Sequence, residues 1–162
     1  MPLQTKLKPG SLDPTGPTTD NGAMQHVIPK EMAERVRGAV LAELPDCLAI
    51  YVFGSRASDQ ARPDSDLDIA VLLPPMTRID DKLAILSRLA VELKLEVDLV
   101  DLRAASDVLR REVLANGVCV HNAAPGEVLA WEAEAMTRYG HYRREVADLL
   151  ADFHDTGRGY RQ

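Results

Sequence analysis

The run DLDIAVLL, Asp66 to Leu73, has the aliphatic character of a buried strand yet carries two carboxylates. Side chains alternate across a strand, so Leu67, Ile69, Val71 and Leu73 share one face and Asp66, Asp68 and Ala70 share the other. The first set predicts a face packed under helices, the second a face turned to a cleft. Residues two apart on a strand have Cα atoms roughly 6.5–7 Å apart, and two carboxylates that close disfavour each other's ionisation. A divalent cation removes that penalty. Oxygen donors suit Mg²⁺, which takes one or two protein carboxylates and completes its shell with water and substrate phosphates. By itself an Asp-x-Asp reads more simply as a turn residue followed by a solvated sheet face. A Ca²⁺ loop starting at Asp64 is excluded, because it requires Gly at its sixth position and Glu at its twelfth, where this chain has Ile69 and Pro75.

A third carboxylate lies in LEVDLVDL, Leu95 to Leu102. If Val97 and Leu99 form the packed face, Asp98 turns to the same cleft as Asp66 and Asp68, and Asp101 falls on the packed face or at the strand end. Asp98 is therefore expected to complete the set. Three carboxylates from two strands can hold two Mg²⁺ ions, which stabilise the attacking and leaving oxygens of an in-line displacement at phosphorus. Gly54 and Ser55 end another apolar run, and SRASDQA behind them is expected to open a short helix. Glycine lets backbone approach a ligand closely, a helix start offers free N–H groups to phosphate, and Ser55 adds a hydroxyl. Arg56 is placed to reach phosphates or to pair with a nearby Asp. Without the other residues, Ser55 is a plain helix cap. The GxxxxGK of a P-loop is missing, and so is the dinucleotide fingerprint.

These groups need a scaffold, and the pattern around them supplies one. KEMAERVRGAVLAEL puts Met32, Val36, Val40 and Leu41 on one helical face, with Pro29 as its first position. LAIYVF is a strand ending at Gly54, and DLDIAVLL is a second, stopped by Pro74 and Pro75. IDDKLAILSRLAVEL is an amphipathic helix and LEVDLVDL a third strand. SDVLRREVLANG is a helix capped by Ser106 and ended by Gly117. VCVHN is a short strand, and GEVLAWEAEAMTRYGHYRREVADLLADF is a long final helix. Alternating helices and strands define an α/β class with a small sheet backed by helices. Residues 1–25, rich in Pro, Gly and Thr, read as a disordered extension, 26–122 as the folded domain, 123–155 as the C-terminal helix and 156–162 as a flexible tail.

With 162 residues the chain is long enough for one domain with a core. A net charge of −6 argues against duplex DNA or long RNA as the main partner, since such binding rests on Lys and Arg neutralising phosphates. No apolar run approaches a membrane span, and no signal-peptide core begins the chain, so the expected location is the cytoplasm. Cys47 and Cys119 are expected to be reduced, buried thiols. His26, His121, His141 and His154 show no ligand spacing. Trp131, Tyr139, Tyr142, Phe153 and Tyr160 gather most of the chain's aromatics near its end. Tyr139, Tyr142, Val146, Leu149 and Phe153 step by three and four, a stripe suited either to the chain's own sheet or to a partner or oligomer surface.

Gly54-Ser55, ten residues, then Asp66-x-Asp68, with a strand aspartate after the following helix, resembles the nucleotidyltransferase signature of the DNA polymerase beta superfamily. The domain resembles the minimal MntA-type members, whose fold is a small mixed β-sheet backed by helices. The resemblance implies ATP as donor, two Mg²⁺ ions and transfer of AMP with release of pyrophosphate. By position it assigns the triphosphate to Gly54 and Ser55, with Arg56 nearby. It assigns both metals to Asp66 and Asp68, and the catalytic metal and the acceptor hydroxyl to Asp98. It further implies an antitoxin whose partner is a HEPN-domain ribonuclease toxin, adenylylated on a tyrosine. The toxins' own Arg-x4-His-x-Tyr motif is missing, since His141 and Tyr142 adjoin. About a hundred catalytic residues and one extra helix leave little room for a second small-molecule pocket, which favours a protein acceptor. A transferase acting on a small molecule such as an aminoglycoside, and a non-catalytic module that neutralises its partner by contact, are the alternatives.

Overall fold

The computed structural model describes residues 28–57 and 65–157, with side chains to residue 151. The expected extension at 1–25, the expected tail at 156–162 beyond its first two residues, which end the last helix, and the Phe153 side chain in the helical stripe lie outside the described residues or side chains. Helix α1, Lys30–Glu43, leads into strand β1, Ala49–Phe53, which runs into a single 3-10 turn, Gly54–Ala57. Strand β2, Leu67–Leu72, is followed by helix α2, Lys82–Leu93, and strand β3, Val97–Asp101. Helix α3, Asp107–Asn116, strand β4, Val118–Asn122, and helix α4, Pro125–Gly157, complete the order.

The four strands lie in the order β3-β2-β1-β4. β1 pairs antiparallel with both β2 and β4, while β2 and β3 are parallel, joined through α2. The sheet is thus mixed, as expected. Ile50, Val52, Leu67, Ile69, Val71 and Leu99 form one face, buried against Val36 and Val40 of α1 and Ile85, Leu89 and Leu93 of α2. Each such side chain contributes about 1.5–3 kcal/mol by leaving water.

The opposite face departs from expectation. Ala49, Tyr51, Phe53, Ala70 and Leu72 are also buried, under Val113 of α3 and Val128, Trp131 and Ala135 of α4. The cover stops short of Asp68, which is half-buried, of Asp66 just ahead of the strand and of Asp98 on β3, both exposed. Helix limits follow local chemistry. Asp81 caps α2 by accepting from the Ala84 N–H, so the helix begins at Lys82 and not at Ile79. Ser106 accepts from the Leu109 N–H at the head of α3, and Gly117 ends it. Pro29 is the N-cap of α1 and not its first helical residue. Cys47 is buried and Cys119 exposed, both free. The expectation for Cys119 fails because β4 is an edge strand whose alternate side chains point to solvent.

Candidate active site

The register of the sheet brings the carboxylates together. Asp68 is the Cα partner of Asp98 on β3 and of Phe53 on β1. Direct neighbours across a sheet point to the same side, so Asp68 and Asp98 share a face, with Asp66 just ahead of the strand. Burial raises the Asp68 carboxyl above its ordinary range, and the charges of Asp98 and then Asp66 raise it further. Asp68 therefore lies within electrostatic reach of both other carboxylates. Asp101, a register partner of Val71, instead accepts from the Arg103 backbone N–H.

Gly54 faces Asp68 directly. Its φ is +73°, in the left-handed region, and a Cβ there would stand 2.1 Å from Asp68 Oδ2. Both constraints favour glycine here. The backbone at the end of β1 is thus laid directly against the Asp68 carboxylate. Of the segment expected to be helical after Gly54, the described part, Gly54–Ala57, is a 3-10 turn, and Ser58 to Ala61 lie outside the described residues. Arg56 donates from Nε to the Ser65 carbonyl at 2.6 Å and ties this turn to the lead-in of β2.

Lys82 is a neighbour that sequence patterning gave no reason to single out. From the first turn of α2 its Nζ stands 3.9 Å from Asp98 Oδ1. The parallel β2-α2-β3 connection creates this approach, and no spacing in the chain encodes it. With Asp98 turned toward Lys82, no group of three or more His, Cys, Asp or Glu among the described residues is tight enough to enclose a metal by itself. The donor set nevertheless fits Mg²⁺, which asks a protein for one or two carboxylates and takes phosphate oxygens for the rest.

Residues 38–125 match the polymerase beta nucleotidyltransferase family, and the chain belongs to that family. Within it, the chain is of the minimal MntA type. It is 31% identical over 109 residues to the protein adenylyltransferase MntA of Shewanella oneidensis, spanning 67% of this chain and 78% of that protein. A chain in the crystal structure of a toxin-antitoxin with AMP-PNP superposes with a TM-score of 0.65 at 28% identity, covering 74% of this chain and 96% of the other. A chain in the complex of a tri-AMPylated Shewanella oneidensis HEPN toxin with its MNT antitoxin gives 0.63 at 27% identity, covering 76% and 96%.

Proposed function

We propose that this chain is an antitoxin that transfers AMP from ATP to a tyrosine of a HEPN-domain ribonuclease toxin. The observation that carries the reading is the convergence of Asp66, Asp68 and Asp98 beside the tightly apposed Gly54. The matches support it: MntA of Shewanella oneidensis is a protein adenylyltransferase, one matching toxin-antitoxin structure holds AMP-PNP, and another holds a tri-AMPylated HEPN toxin with its MNT antitoxin.

The acceptor oxygen attacks the α-phosphorus of ATP. A new P–O bond forms as the bond to the bridging oxygen breaks, and pyrophosphate leaves opposite the attack. Gly54 and Ser55, with Arg56 behind them, hold the triphosphate, and Asp98 orients the acceptor hydroxyl and takes its proton. Asp66, Asp68 and Asp98 would hold magnesium, which would supply charge neutralisation at the transferring group. The remaining barrier reduction comes from holding the reactants in line. The exposed far half of α4, with Tyr142 and Leu149, is the surface for the toxin. No helix among the described residues is long and apolar enough to cross a membrane, and the reading places the pair in the cytoplasm.

The test is protection of cells from the toxin. Wild type should protect and leave AMP on the toxin. A variant with Asp66, Asp68 and Asp98 all changed to Asn should co-purify with the toxin yet fail to protect. Protection by that variant would make the chain a contact-only module and overturn the catalytic reading.

A further inference from the structure

Lys82 stands where its own helix disfavours a cation. Asp81 caps α2 by accepting from the Ala84 N–H, which makes Lys82 the first helical residue. That is the positive end of the helix dipole, where acidic side chains are stabilising and basic ones are not. Its pair with Asp98 spans 3.9 Å between side chains that are 50% and 61% exposed. So open a pair adds little to a fold. Stability therefore explains neither the lysine nor its partner. What the position achieves is to bring an ammonium to Oδ1 of the carboxylate that β3 contributes to the site.

That oxygen has two claimants. Asp98 is the register partner of Asp68, and the proposed function makes it a magnesium ligand. Magnesium lies about 2.0–2.1 Å from each ligand oxygen, so an ion on Oδ1 and an ammonium left at its present distance would stand within about 6 Å of each other and repel. Asp66 and Asp68 have no such rival, since among the described residues no lysine or arginine pairs with either. Two of the three carboxylates are open to a metal and the third is contested. Lys82 also lines a groove of about 750 Å³ along the outer edge of β3, with Asp101 in its wall. The groove gives a displaced ammonium room and a second carboxylate to face.

We propose that Lys82 is a positioning residue that competes with Mg²⁺ for Asp98, so that the ion needing Asp98 binds more weakly than the ion held by Asp66 and Asp68 alone. Asp98 is also the group that takes the acceptor proton in the proposed reaction. Lys82 therefore sets the magnesium concentration at which that carboxylate is released to the chemistry. On release the ammonium turns into the groove, toward Asp101. The loading order follows from the unequal carboxylates: Asp66 and Asp68 fill first, with the triphosphate, and Asp98 last. This inference rests on the proposed transferase function, which makes Asp98 a metal ligand.

The experiment titrates the full chain with Mn²⁺ beside an ATP analogue whose α- and β-phosphates are bridged by methylene, and reads free Mn²⁺ by electron paramagnetic resonance. No transfer is involved, so affinity is measured apart from activity. Wild type should bind two ions, the second more weakly. Lys82→Met should tighten the weaker ion about two- to fivefold, the scale of an exposed ion pair, and leave the tighter one unchanged. Lys82→Arg, which keeps the charge, should bind as wild type does. Arg78→Ala, which removes another cation from the groove wall, should also bind as wild type does. In an Asp98→Asn background, Lys82→Met should change nothing. An unchanged or weakened second ion in Lys82→Met would overturn the inference, as would equal tightening in Lys82→Arg, in Arg78→Ala or in the Asp98→Asn background. A wild type that binds a single ion would overturn it too, and all these results leave the transferase reading standing. A wild type that takes up no Mn²⁺ with the analogue would sink the transferase reading itself.

Discussion

Asp68 carries a cost that the isolated fold has no use for. Its carboxyl is raised by burial first and by Asp98 and Asp66 second. A raised folded-state value means that its contribution to stability is fully present below the ordinary value of 3.8 and is lost as pH rises through the folded value. At neutral pH and without metal, ionised Asp68 therefore works against the fold. Asp68→Asn should melt above wild type at pH 7, with the gap closing as the pH falls toward and below 3.8. The same variant should lose transfer by more than about 100-fold, beyond what the loss of an outer-shell partner of a metal costs. Thermal melts across pH check the first claim, and a gap that persists at low pH would contradict it. Gly54 offers the complementary case. Gly54→Ala puts a Cβ 2.1 Å from Asp68 Oδ2 at a φ of +73°. The left-handed backbone alone should cost about 1–2 kcal/mol, and the displaced carboxylate should depress transfer as well. Chemical denaturation and initial rates report the two effects separately.

At the scale of elements, alternation along each strand made much of the layout legible. The strands at Ala49–Phe53 and Val118–Asn122, the Ser106 cap and the Gly117 stop all follow from local chemistry. Alternation also put Asp98 rather than Asp101 on the carboxylate face, where its register with Asp68 now places it. It could not reveal what covers a face. Ala70 shares the face of the aspartates, yet α3 and α4 bury it, because alternation says which residues travel together and nothing about distant helices. Lys82 beside Asp98 and the groove along β3 were illegible for the same reason. They arise from loops and a crossover whose path no short-range pattern encodes. α4 is fastened to the sheet partly by the Tyr51 hydroxyl, which donates to Glu132 Oε1 at 2.6 Å. Hydrogen bonds to charged groups are worth about 1.5–3 kcal/mol. Tyr51→Phe should therefore lower the unfolding free energy by about 1.5 kcal/mol, measured by urea titration.

At the scale of the whole molecule, a small two-faced sheet carries the chemistry while one helix of 33 residues extends past it. The near half of α4 is part of the core through Val128, Trp131 and Ala135. Beyond Gly140, Tyr142, Leu149 and Leu150 are 44%, 58% and 55% exposed, so this half adds little to the fold. A chain ending at Gly140 should melt within a few degrees of the full chain, since less than about 1 kcal/mol of packing is removed. It should bind the toxin much more weakly in a pull-down or by calorimetry. Equal binding would place the toxin surface elsewhere. The proposed function thus divides the labour between a catalytic sheet that needs its aspartates and a helical arm that brings the acceptor to it.

The most direct test follows the phosphorus. The toxin is incubated with the full chain, Mg²⁺ and ATP labelled either at the α- or at the γ-phosphate. Displacement at the α-phosphorus predicts label on the toxin from α-labelled ATP alone, with the γ-label released as pyrophosphate and the α-signal abolished in Asp66→Asn and Asp68→Asn. Transfer of the γ-label would make the protein a kinase, and α-label transfer that survives both substitutions would remove the carboxylates from the chemistry; either result would contradict the account.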